Sequence, residues 1–284
     1  MLRVDQRFEW LQVHGLGAQI IGPWMDAVGD SLPPEPHRAW SRRFNEELAG
    51  LCSEQGGQLA GLATLSLQSP EVAARELEHA VRELGLVGAM LGTDIAGVDL
   101  AREALSPLWE AAVALEVPIV LHPTFLGPSS VLNPRSYVNL YGRTVDTTYT
   151  ATRLIVAGVF DRFPSLKLLL VHGGGFLPYQ ALRLDTCFRN GDLRGSVERE
   201  APLERGLPSA YLSCFCYDTA LLSVPAARML VETVGAEKVL LGTDYPFPIA
   251  DEGAAERMTD AYLDPATREL VLGGNAQRLF RIIR

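Results

Sequence analysis

Short aliphatic and β-branched runs alternate along the chain with longer stretches whose apolar residues recur every three to four positions. The runs at 18–22, 59–65, 86–91, 118–121, 166–171, 210–214 and 238–241 read as strands. Between them, 70–84 sets Val72, Leu77, Val81 and Leu84 on one helical face, and 100–115 reads as a helix that Asp99 is placed to cap. A shorter helical segment, 6–14, precedes the first strand. Strands that are apolar throughout, separated by helices, predict a parallel sheet covered on both faces. Seven such strands suit either an open sheet or a barrel one strand short of closure. No GxGxxG follows an early strand, which argues against an open dinucleotide-binding sheet. The longest irregular stretch, 127–149, reads as a loop over a site, and no Pro/Ser-rich linker divides the chain, so 1–284 is expected to be one domain.

Composition narrows the functional classes. Of 284 residues 48% are hydrophobic, enough for a substantial core. The net charge of -9, with no block of Lys or Arg, argues against nucleic acid or an anionic membrane as partner. No apolar run approaches the roughly 18 residues of a membrane span, and the charged start of the chain predicts no signal peptide. Cys52, Cys187, Cys214 and Cys216 form no CxxC pair, so a reducing compartment, the cytoplasm, is expected. Cys214 and Cys216 are expected on one face of a strand, as two small buried residues or as a thiol pair.

Candidate chemistry sits at the ends of the strands. In parallel α/β folds, side chains just past the C-terminal ends of the strands converge on the binding site. PIVLHP ends in His122, LLLVHGGG in His172, and VLLGTDYPFP in Asp244. A single histidine after a strand is more often a packed or hydrogen-bonded residue. Three such residues at one structural height point to a shared polar site and favour the barrel. Neutral imidazole and carboxylate ligate Zn²⁺ and related divalent ions, and a histidine beside such an ion can move a proton. Gly173, Gly174 and Gly175 permit close backbone approach beside His172, or serve only a tight strand-to-helix turn.

LHPTF, LLLVHGGGFLPYQALRLD and VLLGTDYPFP closely resemble the aminocarboxymuconate-semialdehyde decarboxylase branch of the amidohydrolase superfamily, which also holds resorcylate-type and carboxyvanillate-type decarboxylases and some hydrolases. LAGLATLSLQSPEVAARELEHAV and GGNAQRLF support the match, which runs from about residue 7 to the C-terminus. The resemblance implies an α/β fold, a TIM-like (β/α)8 barrel of the metal-dependent hydrolase type. It implies that His122 and Asp244 ligate a divalent metal, zinc or manganese, and that His172 transfers a proton. Arg183 matches an arginine that in this family reaches a neighbouring subunit's site and holds a substrate carboxylate, so a homodimer is implied.

The family's first strand carries His-x-His or Glu-x-His, and neither is in this sequence. The segment at 6–14 matches the helix after that strand and GLGAQIIGP matches the second strand, so the barrel is expected to be incomplete at its first strand. His14, the only early histidine, is expected at the end of the barrel away from the site. His37 and His79 are expected to be solvated. Trp24 and Phe247 are candidate pocket walls, and Arg135 and Arg143 could attract an acidic substrate, although loop arginines are ordinarily solvated. The leading expectation is a metal-dependent decarboxylase of a small unsaturated or aromatic carboxylic acid. The alternatives are hydrolysis of a lactone or amide, and a catalytically impaired barrel that serves as a binding or regulatory subunit.

Overall fold

A computed structural model of the chain describes residues 3–95, 98–124, 137–191, 202–260 and 263–282. Parallel strands form at β1 (Gln19–Ile21), β2 (Leu59–Gly61), β3 (Ala89–Gly92), β4 (Ile119–His122), β5 (Leu168–Leu170), β6 (Phe215–Asp218) and β7 (Val239–Leu240). β1 pairs with β2, and β3 to β7 pair in chain order. A bridge from Ala63 to Ala89 joins the two sheets. The helices that cover them are α1 (Val4–Val13), α2 (Pro34–Ser53), α3 (Pro70–Arg82), α4 (Ser106–Leu115), α5 (Arg143–Val156), α6 (Leu177–Asn190) and α7 (Val224–Val234). This is the strand–helix alternation of a TIM-type barrel.

Strand alternation divides the apolar residues into two cores. Ile119, Leu121, Leu168, Leu170, Phe215 and Tyr217 face outward and pack against the helices. Val120, Leu169, Val171 and Leu240 face inward, and the C-terminal helix Asn275–Phe280 closes that interior with Leu279 and Phe280. Among the described residues no strand lies between β7 and β1. α1 reaches both edges: Arg7 Nη1 donates to Gln19 Oε1 at 2.5 Å, and Trp10 stacks at 4.0 Å on Tyr245, beyond β7.

Several expectations change. The run at 210–214 is a 3-10 helix, Pro208–Cys214, and the strand begins at Phe215. Proline lacks an N–H for the ladder, and Tyr217 Oη donates to the Leu212 carbonyl at 2.8 Å, folding this turn onto the strand. Cys214 consequently packs on the outer core and Cys216 on the inner one, not on one face, and all four thiols are free. Asp99 accepts from Ala101 N and pairs with Arg153 rather than capping α4, which starts at Ser106.

Of the expected loop at 127–149, residues 127–136, with Arg135, lie outside the described residues. From Val138 the chain is helical, a π-turn (Val138–Gly142) leading into α5. The threonines that argue against a helix here satisfy themselves within it: Thr147 Oγ1 donates to the Arg143 carbonyl at 3.0 Å and Thr148 Oγ1 to that of Thr144 at 2.7 Å. His37 is fully buried, with Nδ1 3.2 Å from Ser66 Oγ and burial lowering its pKa. Among the described residues no helix is long and apolar enough to cross a membrane.

The turn after β5 fixes where α5 docks. Gly175 has φ +65°, and a Cβ there would overlap the Thr144 carbonyl oxygen and lie 2.7 Å from Thr148 Oγ1. Gly175→Ala should therefore cost about 3 kcal/mol in urea unfolding, combining left-handed strain with a backbone clash. Gly85→Ala, at φ +71° with nothing within 4 Å, should lose only about 1 kcal/mol. Equal losses in the two variants would contradict this account.

Candidate functional site

Val120 faces the interior, so His122, two residues on and the last of β4, faces it too. β5 ends likewise: after inward Val171 the backbone turns left-handed through His172 (φ 55°), Gly173, Gly174 and Gly175. Asp244 lies beyond β7, also at φ 55°. A non-glycine residue held in this region costs on the order of 1 kcal/mol or more, and among the described residues His172 and Asp244 are two of five that pay it. The three side chains meet at the mouth of the barrel, with one donor atom from each lying within 4.8 Å of the others. The imidazoles of His122 and His172 meet edge-on at 5.3 Å, and His172 Nε2 lies 3.8 Å from Asp244 Oδ2.

Burial sets the charge state of each group. His122 is lowered to about 4, first by burial and then by the positive charge of Arg143. His172 is lowered to about 3 by burial, then by His122 and Arg143. Both rings are therefore neutral at neutral pH and offer lone pairs. His122 Nδ1 lies 3.0 Å from the Pro123 carbonyl, which assigns its proton to Nδ1 and its lone pair to Nε2. Burial raises Asp244 to about 6, against the pull of Arg143, so it is mostly ionised at neutral pH. Two neutral imidazoles and a carboxylate are a donor set that suits a divalent ion. His172 Nδ1, buried with no hydrogen-bond partner among the described residues, is a further polar atom that a ligand or water would satisfy.

Asp218 is the residue that sequence reasoning missed. It ends β6 in the same inward register as Cys216, and its Oδ1 accepts from Gly173 N at 3.2 Å and Ala220 N at 3.1 Å. Burial raises it to about 7, opposed by the N–H donors. It grips the turn that carries His172. The alternation in FCYD held the signal, hidden because the strand was placed too early.

The other candidates scatter. Arg183 is exposed on α6 and makes no hydrogen bond or ion pair among the described residues. Trp24 and Phe247 pair at 6.1 Å, and His79 is half-buried on α3. His14 packs tilted against Trp10 with ring centroids 4.4 Å apart, and Trp10 in turn stacks on Tyr245, the neighbour of Asp244. Arg143 is half-buried rather than solvated.

Residues 33–282 match the amidohydrolase family, and the chain belongs to it. It is 32% identical over 296 residues to the γ-resorcylate decarboxylase of Polaromonas sp. strain JS666, covering 99% of this chain and 88% of that protein. It is 28% identical to the 2-amino-3-carboxymuconate-6-semialdehyde decarboxylase of Dictyostelium discoideum, covering 96% of this chain and 75% of that one. Among solved structures, the dihydroxybenzoic acid decarboxylase of Polaromonas sp. JS666, with bound manganese and the inhibitor 2-nitroresorcinol, superposes with a TM-score of 0.88. It is 29% identical and covers 100% of this chain and 87% of that one. These relatives place the chain in the aminocarboxymuconate-semialdehyde decarboxylase-like branch, and the TIM-barrel fold is theirs too.

The charge states give the site a pH signature. Ligation needs the carboxylate ionised and the imidazoles neutral. The histidines stay neutral down to about pH 4, whereas Asp244 is protonated below about 6. Manganese binding, followed by calorimetry, should hold above pH 6 and weaken as pH falls through that value. Asp244→Asn should remove both the affinity and this pH dependence. A midpoint near pH 4 would show that Asp244 is not the controlling group.

Proposed function

We propose that the chain, as a member of this amidohydrolase family, is a metal-dependent decarboxylase of a small aromatic or unsaturated carboxylic acid. The observation that carries the reading is the convergence of His122, His172 and Asp244 at the mouth of the barrel, in a chain whose relatives decarboxylate such acids. His122 and Asp244 are the proposed ligands of the ion. Manganese is the first candidate, since the Polaromonas structure holds it, and zinc the second. A bound divalent ion supplies Lewis-acid stabilisation of the negative charge that develops as CO₂ leaves.

The rest falls to the chain's own side chains. Cleavage of the carbon–carboxylate bond leaves its electron pair on carbon, which must take up a proton as CO₂ departs. His172 is proposed to deliver it. The ring is neutral in the free protein, and an anionic substrate beside it favours the protonated form, so binding and proton loading are linked. Asp218, holding the backbone of the 172–174 turn, fixes the angle from which that ring approaches.

The homodimer and the role of Arg183 belong to this reading as well. Tyr141, Val145 and Tyr149 on the π-turn and α5, and Phe176, Tyr179 and Leu182 around α6, which carries Arg183, are exposed apolar side chains. Patches of such side chains mark protein–protein contacts, and a twofold pairing would send each Arg183 across the interface. The free thiols accord with a cytoplasmic location.

Purified protein with manganese should release CO₂ from one or more members of a panel of hydroxybenzoates, with the decarboxylated phenol as co-product. Ring opening or amide cleavage without CO₂ would instead make it a hydrolase. His172→Ala should cut turnover by at least about 100-fold with the circular dichroism spectrum intact. Mixing inactive His172→Ala with inactive Arg183→Ala should restore about one quarter of wild-type activity, since a mixed dimer regains one complete site. No recovery in the mixture, with dimers verified by sedimentation, would remove Arg183 from the partner's site.

A further inference from the structure

A fixed cation stands beside a trio of groups suited to holding a cation. Arg143 opens α5, directly after the π-turn Val138–Gly142. Its Nη1 donates to the Pro123 carbonyl at 2.8 Å, and the same carbonyl oxygen accepts from His122 Nδ1 at 3.0 Å. Guanidinium and imidazole are thus separated by one shared oxygen. On its other edge Nε donates to Asn139 Oδ1 at 2.8 Å, which fixes the plane of the fork. Two independent contacts, one to the strand end and one to the π-turn, therefore aim the group at the mouth. The electrostatic reach agrees with the geometry: the positive charge of Arg143 lowers the pKa of His122, of His172 and of Asp244.

Such a charge opposes the binding of a metal ion alone and favours that of an anion. Guanidinium presents a planar fork that matches a carboxylate. Arg183, by contrast, is exposed on α6.

We propose that Arg143 receives the substrate carboxylate from within the same subunit, and so selects anionic over neutral ligands at the mouth beside His122. This rests on the mouth being the substrate site and adds a specificity-determining residue to it. The competing role, a structural clamp between β4 and α5, would weaken acid and neutral ligand alike.

The test is binding by calorimetry, with and without manganese, of benzoate and of its neutral counterpart benzamide. Wild type should bind benzoate about tenfold or more tightly than benzamide. Arg143→Gln should lose most of that preference while the benzamide dissociation constant and the melting temperature stay within error. Arg143→Lys, which keeps the charge but not the fork, should lose benzoate affinity severalfold, and it decides the matter if the glutamine variant does not fold. An undiminished preference for benzoate in either folded variant, or no preference in wild type, overturns the proposal. Its outcome is separable from that of the decarboxylase reading. An Arg143-dependent preference without CO₂ release from any acid would sink only the latter. CO₂ release with an unchanged KM in Arg143→Gln would sink only the former.

Discussion

The interior of a parallel barrel has no water to offer a polar group, so every inward side chain along a strand has to be apolar until the strand ends. Val120, Leu169, Val171 and Leu240 meet that condition. The first polar side chains in the inward register, His122 on β4 and Asp218 on β6, stand where the chain leaves the sheet. The site is thus the upper boundary of the inner core. Its chemistry follows from its position: the same shortage of water keeps both histidines neutral and both carboxyls reluctant to ionise. Donors for an ion arise where burial makes a proton unwelcome on nitrogen.

Two aspartates in this setting have different duties. Asp218 spends its lone pairs on the N–H groups of Gly173 and Ala220, which anchors the turn. Asp244 faces His172 across 3.8 Å and is more readily ionised. The linkage to stability has opposite signs for the two residue types. A histidine lowered to about 3 or 4 stabilises the fold increasingly as pH rises from there to 6.5. A carboxyl raised from 3.8 to about 6 or 7 gives up stability over nearly the same interval. The contributions oppose one another, so the four-group site can be built from strongly displaced groups without making the fold acid-labile. A divalent ion would shift the balance by favouring ionised carboxylate and neutral imidazole together.

The trio was legible in the sequence because each of its members stands at or within three residues of the end of an apolar run, and such runs survive any error of a residue or two in the strand ends. Asp218 was lost to such an error: Pro208 pulls the 210–214 run into a 3-10 turn, and one strand shifted by a few residues carries its terminal carboxylate out of view. α5 was unreadable for a different reason. Its threonines have poor intrinsic helix propensity, and only the bonds they return to preceding carbonyls, with the packing of Leu154 and Ile155 in the core, make the helix. With the start of α5 read as loop, Arg143 looked like one more solvated side chain. The burial of His37 was equally invisible, since it depends on Ser66, a residue far away along the chain.

The seam between β7 and β1 ties the architecture to the chemistry. Among the described residues α1 contacts both edges through side chains: Arg7 holds Gln19 on one edge while its guanidinium lies 5.2 Å from the ring of Tyr245 on the other, and Trp10 covers that same ring. Tyr245 is covalently next to Asp244, whose left-handed backbone leaves few alternative positions for its carboxylate. A displacement of α1 therefore reaches a site carboxylate through a single peptide unit. His122 and Asp218 depend on the sheet for their placement, whereas Asp244 depends in part on how the seam is closed. The seam thereby acts on the one site group whose ionisation lies nearest neutral pH apart from Asp218, and the closure of this barrel and the charge at its mouth are parts of one structural problem.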